Sequence, residues 1–188
     1  MNEFFDSYSE DGMKKDVSTN VDLDSLTQIA NRQKFNIMLN EAVKKSHNTV
    51  CYLSILLIDI DYFKEYIDKY GLLSGNDCLR QVAFSLQGTL KRAGDLVARW
   101  DHEKFVCILS DTDPAGAATM AQKMSHAIID LAIPNSASSV ADVITISVGV
   151  VTSILTDEIA SDKLIKKADH ALSIAIKTGR NKIAISNS

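Results

Sequence analysis

Two pairs of charged residues have the types and spacing to do chemistry. Asp59 directly follows the apolar run that ends at Ile58, and Asp61 stands two positions later. A carboxylate such as that of Asp59 offers the oxygen ligands that Mg²⁺ prefers. Arg92 and Asp95 lie three residues apart, so a guanidinium donor and a carboxylate acceptor would meet one ligand. These residues could instead have purely structural roles, with Asp59 as a solvated strand end and Asp61 as a helix N-cap. Arg92 and Asp95 would likewise only close the end of a helix.

Cysteine and histidine chemistry is not indicated. The three cysteines lie far apart, form no CxxC pair and sit in apolar runs. We therefore expect buried thiols in a reducing compartment rather than disulfides or a zinc site. The four histidines are scattered without the spacing of metal ligands, so no metal site built on histidine is expected.

The composition is that of an ordinary folded domain. The chain has 188 residues, of which 46% are hydrophobic and 23% are charged, which suits one domain with a short appendage. A formal charge of −4 argues against non-specific binding to nucleic acid or to anionic membranes. We expect neither a signal peptide nor a membrane span, because no apolar run is long enough. The predicted location is the cytoplasm.

Hydrophobic periodicity predicts alternating helices and strands. Helices are expected over 24–43, 62–70, 76–92, 114–131 and 161–177. Strands are expected over 50–59, 96–100, 104–109, 143–151 and 182–185, with the second and third forming a hairpin. Residues 1–22 are predicted to be a flexible tail, and residues 23–188 the domain. The predicted fold class is α/β (α+β), a central mixed β-sheet flanked by helices.

An ordered set of motifs resembles the GGDEF domains of diguanylate cyclases. The most specific are Asp24-x-Leu26-Thr27-x-Ile29-x-Asn31-Arg32, Asp59-Ile60-Asp61-Tyr62-Phe63-Lys64, Arg92-Ala93-Gly94-Asp95, Ser147-Val148-Gly149-Val150 and Gly179-Arg180-Asn181. The resemblance implies the palm-like fold of nucleotide cyclases. It also implies the family's reaction, in which two GTP molecules held by two protomers are joined over Mg²⁺ into cyclic di-GMP.

The same resemblance reveals departures around the metal site. It matches Asp59, the carbonyl of Ile60 and Glu103 to the metal ligands of the family. The signature itself reads Asp101-His102-Glu103-Lys104-Phe105, so both glycines and the fourth-position acid are replaced. The positions that read guanine and bind phosphate are also replaced, by Ile67, Asn76 and Ile176. These changes predict a vestigial metal site with weak Mg²⁺ binding, no required cofactor, and a domain that is not an enzyme.

The surviving Arg92-Ala93-Gly94-Asp95 resembles the family's inhibitory RxxD site for cyclic di-GMP. The resemblance predicts that Arg92 and Asp95 bind this ligand, with Lys123 as a second basic contact. The predicted function is an inactive cyclic di-GMP receptor that signals to a protein partner, with a ligand-bridged homodimer as one form. The alternatives are residual diguanylate cyclase activity using Asp59 and Glu103, an interaction module without nucleotide, and GTP sensing without turnover.

Overall fold

Helices and strands alternate along the chain. The computed structural model describes residues 22–45, 51–155 and 161–186; the predicted tail lies outside these ranges except for Asp22. The elements are α1 (Arg32–Lys45), β1 (Tyr52–Ile60), α2 (Phe63–Thr89), β2 (Leu96–Arg99), β3 (Lys104–Ser110), α3 (Pro114–Ile129), β4 (Ile146–Ile154), α4 (Ser161–Lys177) and β5 (Ile183–Ser186). None of the helices in these ranges is long and apolar enough to cross a membrane.

The strands form one mixed sheet in the order β2-β3-β1-β4-β5. Strand β1 is antiparallel to both β3 and β4, whereas β5 is parallel to β4. The central position of β1 agrees with its continuous apolar sequence, because a strand covered on both faces does not alternate. This sheet, flanked by helices on both faces, confirms the predicted fold class.

Two apolar layers cover the two faces of the sheet. Side chains of α2 and α3, such as Leu86 and Met124, pack on one face around Phe105. Side chains of α1 and α4, such as Phe35 and Leu172, pack on the other face. With both faces of the central strands buried, the ends of these strands and the hairpin turn are open to solvent, and Asp59, Glu103 and Asp95 lie there.

The predicted helix from Asp24 begins only at Arg32. The carboxylate of Asp24 accepts hydrogen bonds from the backbone N–H and the hydroxyl of Thr27, at 2.9 and 2.7 Å. Such local side-chain bonds compete with helix formation. Gln28 then has a φ of 60°, and the segment joins the sheet edge through a bridge between Ala30 and Ala98.

The two helices predicted over 62–70 and 76–92 are one kinked element, α2. The kink lies at Gly71, whose φ of 86° and ψ of 163° are outside the helical region. Glycine tolerates this conformation because it has no Cβ. The helical hydrogen bonding resumes directly after the kink, so the interruption is shorter than the sequence pattern predicted.

Two of the three cysteines are buried, as predicted. Cys78 and Cys107 are enclosed in the core and Cys51 is half-buried, and all three are free thiols. Burial raises the pKa of Cys78 to about 12, which keeps its thiol protonated and unreactive at neutral pH.

Candidate functional site

Asp59 lies at the carboxyl end of β1, next to the β2–β3 hairpin. Lys104 faces it across the β1–β3 ladder, and the N–H of Ile60 donates to the carbonyl of Glu103 at 3.3 Å. Burial and the nearby Glu103 carboxylate raise the pKa of Asp59 to about 7, against the opposing charges of Lys104 and Arg180. A bound divalent cation would lower the pKa of Asp59, because its positive charge would offset both the burial of this carboxylate and the repulsion from Glu103.

The residues at this strand end fit part of a Mg²⁺ shell. The resemblance assigns Asp59, Glu103 and the carbonyl of Ile60 to the ion, and the charge of Glu103 acts on Asp59 in the folded chain. Among the described residues, no group of three or more His, Cys, Asp or Glu side chains could hold a metal. These two carboxylates and one carbonyl would be only some of the six oxygens that Mg²⁺ requires, and phosphate or water would complete the shell.

The prediction that Asp61 is a helix N-cap is wrong. Its buried carboxylate accepts hydrogen bonds from the hydroxyls of Thr145 and Ser147, at 2.8 and 2.7 Å, and from the N–H of Asn181 at 2.9 Å. Helix α2 instead begins after Tyr62, which has a φ of 55° and makes no side-chain cap. Asp61 therefore ties β1 to β4 and to the turn before β5, which fixes the position of Asp59.

Arg180 brings a cation to the same end of the sheet. It adopts a φ of 58° in the turn after α4, and its guanidinium lies 4.4 Å from the centroid of the Tyr62 ring. The hydroxyl of Tyr62 is in turn 2.5 Å from that of Ser139. Since the charge of Arg180 also acts on Asp59, a phosphate near the acids would meet a positive group that is already oriented.

A groove of about 270 Å³ runs beside the hairpin. It is lined by Phe63, Lys64, Ile67, Asp68, His102 and Glu103. Ile67, the residue at a guanine-reading position in the resemblance, contributes to its apolar wall, and it also packs tightly against Gly75. The groove thus combines an apolar wall with charged groups, a pattern typical of small-molecule sites.

The hairpin turn is held by the first sequence motif. Arg99 donates to the carbonyl of His102 at 2.8 Å and to the carboxylate of Asp24 at 3.0 Å. Burial acts to raise the pKa of Asp24, but the hydrogen bonds from Thr27 and Arg99 outweigh it, so the pKa lies below its ordinary value. This chain of contacts connects the segment before α1 to the turn that carries Glu103.

Trp100, next to the turn, packs within the domain. Its ring meets that of Phe35 edge-on at 5.6 Å, and the guanidinium of Arg32 lies 3.9 Å from its centroid. Both contacts hold the start of α1 against the hairpin. The indole is therefore engaged within the domain itself.

Arg92 and Asp95 form a turn between α2 and β2. Asp95 accepts from the N–H of Ser110 at 3.1 Å, and the Ser110 hydroxyl donates to the carbonyl of Gly94 at 2.7 Å. Burial raises the pKa of Asp95, although the Ser110 bond and the charge of Arg92 act in the opposite sense. Arg92 is exposed and donates to the hydroxyl of Thr112 at 3.3 Å. The carboxylate is thus fixed, while the guanidinium faces solvent.

Lys123 lies close to this turn in space. Its ammonium group donates to the carbonyl of Thr89 at 3.0 Å, three residues before Arg92. The structure therefore brings the three predicted ligand residues to one end of α2. Ser110 and Lys104 lie at opposite ends of β3, roughly 20 Å apart at the rise of an extended strand, so the Arg92 turn and the acidic strand end are separate sites.

Fold and site together place the chain among the palm-like α+β domains, with an acidic strand end beside a hairpin. The family model described as "Diguanylate cyclase, GGDEF domain" matches residues 21–182. The chain belongs to this family, and the resemblance seen in the sequence is confirmed.

The chain is similar to several characterised proteins. It is 32% identical over 134 residues to Diguanylate cyclase A of Treponema denticola, covering 71% of this chain and 35% of the relative. The GGDEF domain of DgcB from Caulobacter crescentus, solved in complex with c-di-GMP, superposes with a TM-score of 0.79 at 24% identity, covering 89% of this chain and 96% of that domain. Diguanylate cyclase SiaD of Pseudomonas aeruginosa, solved in complex with its activator SiaC, superposes with a TM-score of 0.77 at 26% identity. The match covers 87% of this chain and 61% of SiaD. The chain spans about a third of the length of the curated relatives it matches.

The prediction that the domain is not an enzyme is wrong. It rested on the replaced residues of the hairpin turn, 101–104, and on the replaced guanine-reading and phosphate-binding positions, Ile67, Asn76 and Ile176. The matching family is that of the diguanylate cyclases, and relatives at 31–33% identity are named as such enzymes. Despite these replacements, the fold brings two of the predicted metal-binding acids, Asp59 and Glu103, close together.

Proposed function

We propose that this GGDEF domain binds cyclic di-GMP at the turn formed by Arg92 and Asp95 and passes that signal to a protein partner. The observation that carries the proposal is the unequal engagement of the two side chains. Asp95 is fixed by the N–H of Ser110, whereas the guanidinium of Arg92 is exposed and lies 3.3 Å from the hydroxyl of Thr112. An anchored acceptor beside an accessible planar donor is an arrangement that suits a guanine nucleotide.

The chemistry of the ligand supports this assignment. A guanidinium can donate two parallel bonds to a phosphate or to the O6 and N7 edge of guanine. The free lone pairs of Asp95 can accept from the N1 and N2 donors of the same base. Lys123 adds positive charge nearby, where the second phosphate of a cyclic dinucleotide would be attracted.

Two solved relatives agree with this proposal. The DgcB domain, which shares the fold, was solved with cyclic di-GMP bound. SiaD, which is also similar, was solved with a protein activator. A partner for this chain would respond to the ordering or bridging of the domain by its ligand, since a ligand shifts a protein towards the state it binds more tightly.

Replacing Arg92 with alanine is expected to weaken cyclic di-GMP binding by about 10–100-fold, because it removes charge-assisted hydrogen bonds. Isothermal titration of the ligand into the unaltered chain and the variant measures this directly. Lys91→Ala is the matched control, since it removes an exposed cation one residue away and is expected to change the affinity by less than about 3-fold. Absence of binding by the unaltered chain, or equal affinity in Arg92→Ala, would contradict the proposal.

A second function, condensation of GTP, is favoured by the acidic strand end. Burial, together with the nearby Glu103 carboxylate, raises the pKa of Asp59 to about 7, and Glu103 also lines the groove beside the hairpin. Bound Mg²⁺ would supply charge neutralisation for the phosphates. Arg180 and Lys104 would add positive charge, and the groove would receive the base.

Conversion of GTP to cyclic di-GMP by the purified chain with Mg²⁺ tests this second function. We expect product from the unaltered chain and at least about 100-fold less from Asp59→Asn, because one of the two carboxylate ligands is lost. Asp142→Asn, an exposed aspartate at the surface, is the control and should retain the rate. Chromatography after long incubation quantifies both; no product from the unaltered chain would remove this function and leave cyclic di-GMP binding to its own titration.

A further inference from the structure

The outer face of α2 carries an exposed stripe of four residues. Leu73 and Phe84 are 82% and 80% exposed, and the side chains of Asp77 and Arg80 between them are 67% and 52% exposed. At about 100° per residue, these four positions fall within about 60° of one another around the helix. They therefore form one continuous surface, which we call the α2 stripe.

The α2 stripe has the symmetry of a surface that pairs with itself. The two apolar positions, 73 and 84, are centred on the point between residues 78 and 79. The two charged positions, 77 and 80, are centred on the same point. An antiparallel copy of the helix centred there would set Leu73 against the partner's Phe84 and Asp77 against the partner's Arg80. Both kinds of contact would occur twice, as a two-fold interface requires.

We propose that the α2 stripe is a homodimer interface, in which a second copy of this chain packs antiparallel across α2. The apolar ends would remove two leucines and two phenylalanines from water, and large exposed apolar side chains are typical of interaction surfaces. In the centre, the Asp77–Arg80 pair of one helix, at 2.6 Å, would meet the same pair of the partner with opposite charges aligned. Like charges would coincide in a parallel register, so the charge pattern selects the antiparallel one.

This interface includes none of the residues that line the groove and none of the Arg92 turn, and its nearest approach to a predicted nucleotide contact is Asn76, which precedes Asp77. The acidic strand end and its groove are formed by β1, the hairpin and the first turns of α2. The Arg92 turn lies beyond the last turn of the helix. The dimer therefore requires no bound ligand, and a nucleotide-free sample tests it without interference from ligand bridging.

Charge reversal in two separate variants tests the proposal. By sedimentation velocity, the nucleotide-free unaltered chain is expected to dimerise as concentration rises. Asp77→Arg alone and Arg80→Asp alone should each dimerise at least about 10-fold more weakly, because each would oppose like charges across the axis. A mixture of the two variants should recover a dimer, since the opposed charges become complementary. Mixing cannot repair the pair within either helix, so recovery reports only the contact between chains.

Two apolar substitutions complete the test. Phe84→Ser should weaken the dimer, whereas Leu72→Ser should leave it unchanged, because Leu72 is 65% exposed but lies about 100° around the helix from Leu73. Circular dichroism melts check that each variant folds. A monomer at all concentrations, dimers of both charge variants as strong as those of the unaltered chain, or no recovery on mixing would overturn the proposal. Titration of cyclic di-GMP into Asp77→Arg should match the unaltered chain, so the two proposals fail independently.

Discussion

Replacing Gly149 with alanine is expected to lower the free energy of unfolding by more than about 4 kcal/mol, because the added methyl group has no space. Its Cβ would lie 2.2 Å from the carbonyl oxygen of Ala168 and 2.2 Å from the backbone nitrogen of Leu172. Both atoms belong to the backbone of α4, so no side-chain rotation can relieve the overlap. Helix α4 would have to move away from β4 and uncover the core between them.

Urea denaturation followed by circular dichroism measures this effect. The matched control is Gly88→Ala, since nothing lies within 4 Å of a Cβ at Gly88 and the residue is exposed within α2. There the substitution is expected to stabilise the domain by about 0.5–1 kcal/mol through helix propensity. A Gly149→Ala protein within about 1 kcal/mol of the unaltered chain would contradict the close contact between α4 and β4.

Replacing Asp59 with asparagine is expected to stabilise the domain at pH 8 by about 2–4 kcal/mol and to change little at pH 4. The pKa of Asp59 is about 7 in the folded chain, against an ordinary value of 3.8. The folded state therefore binds the proton more tightly than the unfolded state. Stability from this group is present below the ordinary value and is lost as the pH rises through 7, so removing the charge helps only at high pH.

Urea denaturation at both pH values, without divalent ions, is the measurement. Asp142→Asn, which removes a carboxylate from the exposed surface, is the control and should change the free energy of unfolding by less than about 0.5 kcal/mol. Addition of Mg²⁺ at pH 8 should stabilise the unaltered chain more than Asp59→Asn, since an ion would bind the ionised carboxylate. Destabilisation of Asp59→Asn at pH 8, or equal effects at both pH values, would contradict the raised pKa.

Local patterns predicted most of the elements because they depend on near neighbours in the chain. Helix α4 was predicted with its observed bounds, since its apolar residues recur at helical spacing and Gly179 follows with a φ of 119°. The apolar run of β1 and the turn between β2 and β3 were recognisable for the same reason. The motifs also located Arg92 and Asp95, because their spacing lies within one turn.

The order of the elements, the buried central strand and the family motifs could all be read from the amino-acid sequence. The use of individual side chains depends on contacts that form only in the folded chain. Asp61 looked like a helix cap because its partners, Thr145, Ser147 and Asn181, lie 84 to 120 positions away. The raised pKa of Asp59 and the exposed stripe on α2 likewise depend on which surfaces the fold brings together or leaves open. The local periodicity of the sequence indicates which residues are buried. The hydrogen-bond partners of a polar group come from distant segments of the chain, so local patterns do not predict them.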